Sequence, residues 1–225
     1  NGPRKKEILL SRTQSARLLR DSLETLKHRV NTFISASGIS YYGLRDAPMR
    51  GFTETDQPAT DFMAQVTSAW EKEVKEILDS RIRTVMIRTG VVLNREGGAL
   101  NKLARPIKLF VGATLGSGTQ YVNWIHVDDL CRMYIKAIED TSMQGPFNGV
   151  APNPVTNREL TVQIAKVLKR PLWLPRVPGF VVKLIAGEVA ELVLKGGKVS
   201  SDKIEKTGFE YQFRTVDKAL ADLFL

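Results

Sequence analysis

The chain has 225 residues, 43% hydrophobic and 25% charged, which suits one large or two small globular domains with a real core. No apolar run approaches the roughly 20 residues of a membrane-spanning helix, and the most apolar stretch, "GFVVKLIAGEVAELVL", carries Lys183, Glu188 and Glu191, so no membrane partner is expected. The net charge of +9 raises nucleic-acid binding, but the basic residues are dispersed and no aromatics interleave with the densest run, residues 4–6. Solvated helix faces are therefore expected, and nucleic acid is not.

Cys131 is the only cysteine, which excludes an internal disulfide and favours a reducing compartment, the cytoplasm. Two histidines and one cysteine far apart predict no metal site. The chain begins without Met, so its natural N-terminus is expected upstream.

In chain order, residues 3–27 read as a helix with Ile8, Leu19, Leu23 and Leu26 on one face. "VNTFISAS" reads as a strand, followed by a polar loop over 44–60. From Asp61 the positions Phe62, Val66, Ala69, Trp70, Val74, Ile77 and Leu78 keep a 3.6-residue period, with Thr60 or Asp61 as cap. "RTVMIRTGVVL" reads as one nearly continuous strand of the doubly buried kind. A short helix is expected in "GALNKLARPIKLF", a strand in "YVNWIHV", a helix in "DDLCRMYIKAIED" and a strand in "GPFNGVA".

"TNRE" at 156–159 has the form of a capping box. After its helix come an apolar helix over about 178–195, a short helix closed by Gly208, a strand-like "FEYQF" and a terminal helix. The β-α order predicts an α/β fold with a doubly wound, parallel, Rossmann-like sheet and a small C-terminal α+β substrate lobe. The expected division is 1–150 and 151–225, with 95–120 contributing to the substrate side.

The stretches "ISAS…YYG", "WE" at Trp70 and Glu71, "RTGVVL…GGAL", "LGSGTQ", "WIHVDDL", "NGVAPNPVTNREL", "GEVAELVLKGGKVSS" and "KTGFEY" together resemble the extended short-chain dehydrogenase/reductases. That is the NAD-dependent epimerase/dehydratase superfamily, and the closer likeness is to its atypical YfcH-like epimerase family. The resemblance implies a Rossmann half that binds NADP or NAD, with NADP favoured, and a small lobe closing over a small-molecule substrate. A monomer or homodimer is expected. The superfamily's G-x-x-G-x-x-G turn is absent, so the sheet is expected to be N-terminally incomplete; that turn brings the backbone against a pyrophosphate.

Superfamily members use Ser or Thr, Tyr and Lys for proton transfer, which requires a phenol ionising far below its ordinary value near 10. Here the Tyr and Lys slots read Phe62 and Val66, the Ser slot reads Gly38, and the Asn slot falls near Leu10 or Ser11. Ser37 and Tyr42 are the candidate catalytic residues, with Ser40 and Tyr41 beside them; strand-end capping is the competing role. Ser35, Arg88, Thr89 and Gly90 are the candidate cofactor contacts, although Arg88 could instead pair with Asp128 or Asp129.

"GATLGSGTQ" is either an anion-binding loop or a plain connection. His126 with Asp128 and Asp129 reads as a helix start, and His28 as a solvent-facing loop residue. The reading that follows is an NAD(P)-dependent oxidoreductase or epimerase-like enzyme acting by hydride transfer. The alternatives are a non-catalytic NAD(P)-binding sensor or scaffold and, on charge alone, a nucleic-acid binder.

Overall fold

Three parallel strands frame the molecule: β1 (Thr32–Gly38), β2 (Arg83–Thr89) and β6 (Gly145–Gly149), in the order β1-β2-β6. The computed structural model describes residues 2–77, 81–187 and 190–225. Val85, Met86 and Ile87 of β2 are fully buried, as expected of a central parallel strand. The expected α/β fold with a parallel sheet is the fold observed.

Helices α1 (Gly2–Thr25) and α2 (Phe62–Lys75) pack against each other. Of the two expected caps for α2, Asp61 is the one used, its carboxylate accepting the Ala64 N–H. Leu19 of α1 and Leu26, just beyond its end, are exposed rather than buried. The contact is polar instead: Arg17 and Arg20 both donate to the buried Glu73, at 2.7 and 2.6 Å. Leu78, the end of the α2 periodicity, lies outside the described residues.

The stretch expected as one strand over 83–93 turns at Gly90. Thr89 pairs with Gly149 of β6, whereas Val91 opens β3 (Val91–Leu93), which pairs in parallel with β5 (Trp124–His126). A Cβ at Gly90 would sit 2.2 Å from the Asn123 carbonyl oxygen, so only glycine permits this approach. The "YVNWIHV" stretch divides likewise, into β4 (Tyr121–Val122) and β5, at Asn123. Residues 91–124 thereby leave the main sheet for a second core. There Leu93, Trp124 and α3 (Gly98–Lys108) pack with α5 (Asn157–Val167) and α9 (Val216–Phe224).

The capping box forms as read: Thr156 Oγ1 accepts the Glu159 N–H and Glu159 accepts the Thr156 N–H. Thr156 also ends β7 (Val155–Thr156), which pairs antiparallel with β4. The apolar helix expected over 178–195 appears as α6 (Gly179–Ala186) and α7 (Ala190–Leu194), with Glu188 outside the described residues. Then comes α8 (Asp202–Glu205). Among the described residues no helix is long and apolar enough to cross a membrane.

Residues 209–213 are not a strand. Phe209, Tyr211 and Phe213 are buried, so the alternation was real, but the partner is a side chain. The carboxylate of Asp129, on α4 (Val127–Glu139), accepts the N–H groups of Gln212 and Phe213 at 2.7 and 2.9 Å. His126 starts α4, with Nδ1 accepting the Asp128 N–H. His28 is half-buried rather than solvent-facing, its Nε2 2.7 Å from the Leu23 carbonyl oxygen near the end of α1.

Candidate functional site

Both β1 and β2 point their C-terminal ends at one cleft of about 420 Å3. Gly38, Thr89 and Gly90 line it from the strand ends, and Ser40 and Tyr42 from the 3-10 turn after β1. Lys102 and Leu103 of α3 and residues 195–197 also line it. Parallel α/β sheets bind ligands at this end of their strands.

A chain of buried polar groups lies beneath. Arg88 and Glu71 are each 1% exposed and form a two-pronged ion pair, Nε to Oε1 at 2.7 Å and Nη2 to Oε2 at 2.8 Å. Ser37 Oγ donates to Glu71 Oε1 at 2.7 Å. The guanidinium lies 3.5 Å from the centre of the Tyr41 ring, a cation–π contact. Its Nη1 donates to the Tyr42 hydroxyl, which in turn donates to Asn148 Oδ1. Asn148 continues the chain by donating to the Ser200 carbonyl and, through its backbone N–H, to Glu54.

Asn123 ties in the far wall. Its side-chain amide donates to the Gly197 carbonyl and accepts the Val199 N–H, both at 2.8 Å. On the other edge of the same segment, Phe52 N–H donates to the Lys198 carbonyl, and Ser200 N–H to the Phe52 carbonyl.

Residues 177–223 match a domain of unknown function, DUF1731. The chain is 36% identical to the epimerase family protein YfhF of Bacillus subtilis, over 97% of this chain and 71% of that one. The chain belongs to this epimerase family, the atypical branch of the short-chain dehydrogenase/reductases. A second member, the chloroplastic SDR39U1 homolog of Arabidopsis thaliana, is 38% identical over 96% of this chain and 62% of its own length. The human family member SDR39U1 (isoform 2), solved with NADPH, superposes with a TM-score of 0.92 at 30% identity, over 99% of this chain and 75% of that one. The chain thus spans about two thirds of these members.

Against the family frame, the expected site residues divide into two groups. Thr89, Gly90 and Tyr42 reach the cleft; Ser35, Ser37 and Arg88 are not in its lining. Ser35 Oγ donates to the Ala36 carbonyl. Arg88 pairs with Glu71, not with Asp128 or Asp129, so its side chain serves the cleft from below.

For Tyr42 the environment opposes proton transfer. Burial pushes its phenol up, more than the Arg88 contact lowers it, to about 12. That is the wrong direction for a group that must ionise near neutral pH. Phe62 and Val66 on α2 bring no titratable group either. The "GATLGSG" loop is a connection: its Leu115, Gly116 and Gly118 N–H groups bond to Asn157 Oδ1, the Val177 carbonyl and the Leu115 carbonyl.

His126, Asp128 and Asp222 bring potential ligand atoms within 4.8 Å of one another, a grouping that spacing could not reveal because Asp222 is on α9. The Nδ1 lone pair of His126 is taken by the Asp128 N–H, so the ring acts as a helix cap. Sequence reasoning gave no role to Glu71, Asn123 or Asn148. Glu71 stood in the "WE" pair and Asn148 in "NGVAPNP", but nothing in their spacing placed them beside Arg88 and Tyr42.

Proposed function

We propose that the protein binds NADP, in preference to NAD, in the cleft at the ends of β1 and β2 and takes part in hydride transfer on a small substrate. The observation that carries this reading is the position of Gly38, Thr89 and Gly90. They bring backbone to the C-terminal ends of two adjacent parallel strands, in a family whose human member was solved with NADPH. When bound, the nicotinamide supplies the hydride. In this chain, the strand ends present backbone to the ring and the apolar walls keep water away. The Arg88–Glu71 pair beneath the floor fixes Tyr41 there and Tyr42 in the cleft lining, with Tyr42 kept protonated.

A second reading, a non-catalytic NAD(P) sensor or scaffold, is favoured by the absence of any proton-transfer group at the Tyr and Lys slots. Titration of the complete protein with NADPH and NADH, followed by a carbonyl panel, separates the two. Binding with tighter NADPH affinity and turnover of a carbonyl compound is expected. Binding with no turnover across the panel selects the sensor, and no binding of either dinucleotide rejects both.

A further inference from the structure

A second cavity of about 320 Å3 lies behind the first, between α3, α5 and α6, and both share Lys102, Leu103 and Asn157 in their linings. Its walls are aliphatic: Leu103, Ile107, Leu115, Leu160, Ile164 and Val182. Its polar side chains other than Lys102 are Asn157 and Thr161, each tied to the backbone. Asn157 Oδ1 accepts the Leu115 N–H at 2.9 Å, and Thr161 Oγ1 donates to the Asn157 carbonyl at 2.8 Å within its own helix. Lys102 differs: no hydrogen bond or ion pair engages its ammonium among the described residues.

From this pairing of an aliphatic chamber with one unengaged, exposed cation shared by both linings, we infer that the substrate is an acid with an apolar arm. The arm occupies the second cavity, the carboxylate meets Lys102, and the reacting end lies in the first cavity. The inference rests on the proposed use of that first cavity as the cofactor cleft. A nucleoside diphosphate fits poorly. Its base would find a single side-chain amide, that of Asn157, in an otherwise aliphatic second chamber, and its two phosphates would meet one lysine there. Burial of an aliphatic chain, in contrast, needs only the contact the walls offer.

The test is calorimetric titration of the complete protein, with and without NADPH, using butanoate, hexanoate, octanoate, 1-octanol and uridine diphosphate. Affinity should rise about threefold to fourfold for each methylene added, and octanoate should bind tighter than uridine diphosphate. Thr161→Leu, which fills the chamber at the cost of one local bond, should abolish the chain-length dependence. Ala113→Leu fills it from the opposite wall and serves if Thr161→Leu does not fold. Lys102→Met should weaken octanoate about tenfold and leave 1-octanol unchanged.

Affinity independent of chain length, or tighter binding of uridine diphosphate, overturns the inference even if NADPH binds. Length dependence without dinucleotide binding rejects the cofactor reading and leaves the chamber's assignment standing.

Discussion

Replacing Glu71 by Ala removes the counter-charge of a guanidinium that is 1% exposed. Three hydrogen bonds go with it, two from Arg88 and one from Ser37. Breaking a buried pair from one side costs about 3–5 kcal/mol, because the remaining charge is stranded. At roughly 2–4 °C per kcal/mol for a chain of this size, the expected loss in Tm is roughly 6–20 °C. Urea unfolding followed by circular dichroism at pH 7 gives the free energy directly. The double variant Glu71→Leu with Arg88→Met should lose less than Glu71→Ala alone, since no charge remains buried.

The deficit should also depend on pH. Burial raises the Glu71 carboxyl, but Arg88, Ser37 and Lys75 together more than offset this and hold it below the ordinary range. Its contribution is therefore complete above the unfolded value, about 4.3, and is lost as pH falls through the lower folded value. The gap between wild type and Glu71→Ala should be constant near neutrality and shrink below about pH 4. A deficit under about 1 kcal/mol at pH 7, or one unchanged at acid pH, refutes the claim that this pair supports the cleft floor.

Tyr42→Phe removes bonds to Asn148 and Arg88 and should cost about 1–3 kcal/mol in the same unfolding assay. With Ser37→Ala, it should leave the shape of any pH–rate profile intact; loss of one limb would make Tyr42 a titrating participant. Asn123→Ala breaks the bonds to Gly197 and Val199 and should speed amide exchange at Val199 more than tenfold, unlike exchange within β2. Gly90→Ala places a methyl group 2.2 Å from the Asn123 carbonyl oxygen. It should lower Tm and weaken NADPH binding together; unchanged values for both would show that the strand turn has room.

The parallel sheet was legible because Val85, Met86 and Ile87 form a run with no polar face, and α2 because its apolar positions recur strictly with Asp61 before them. The capping box was legible because its two partners are three residues apart. The turn at Gly90 was not, since the apolar pattern continues through it while the pairing partner changes from β6 to β5. The "FEYQF" stretch misled for a related reason. Alternation reports which side is buried, not what satisfies the backbone, and here Asp129 does so from another element. The Arg88 partner was out of reach, because the competing carboxylates at Asp128, Asp129 and Glu71 differ only in where the fold puts them.

The segment 197–200 is held on one edge by the Asn123 side chain and on the other by the Phe52 backbone. It therefore behaves as a rivet rather than a hinge. Swinging the wall outward at this point would shear four hydrogen bonds at once. The exposed Lys102 of α3, which also lines the cleft, carries no such restraint among the described residues. Any adjustment of the cleft's width would then fall to the α3 side and not to the wall at 197–200.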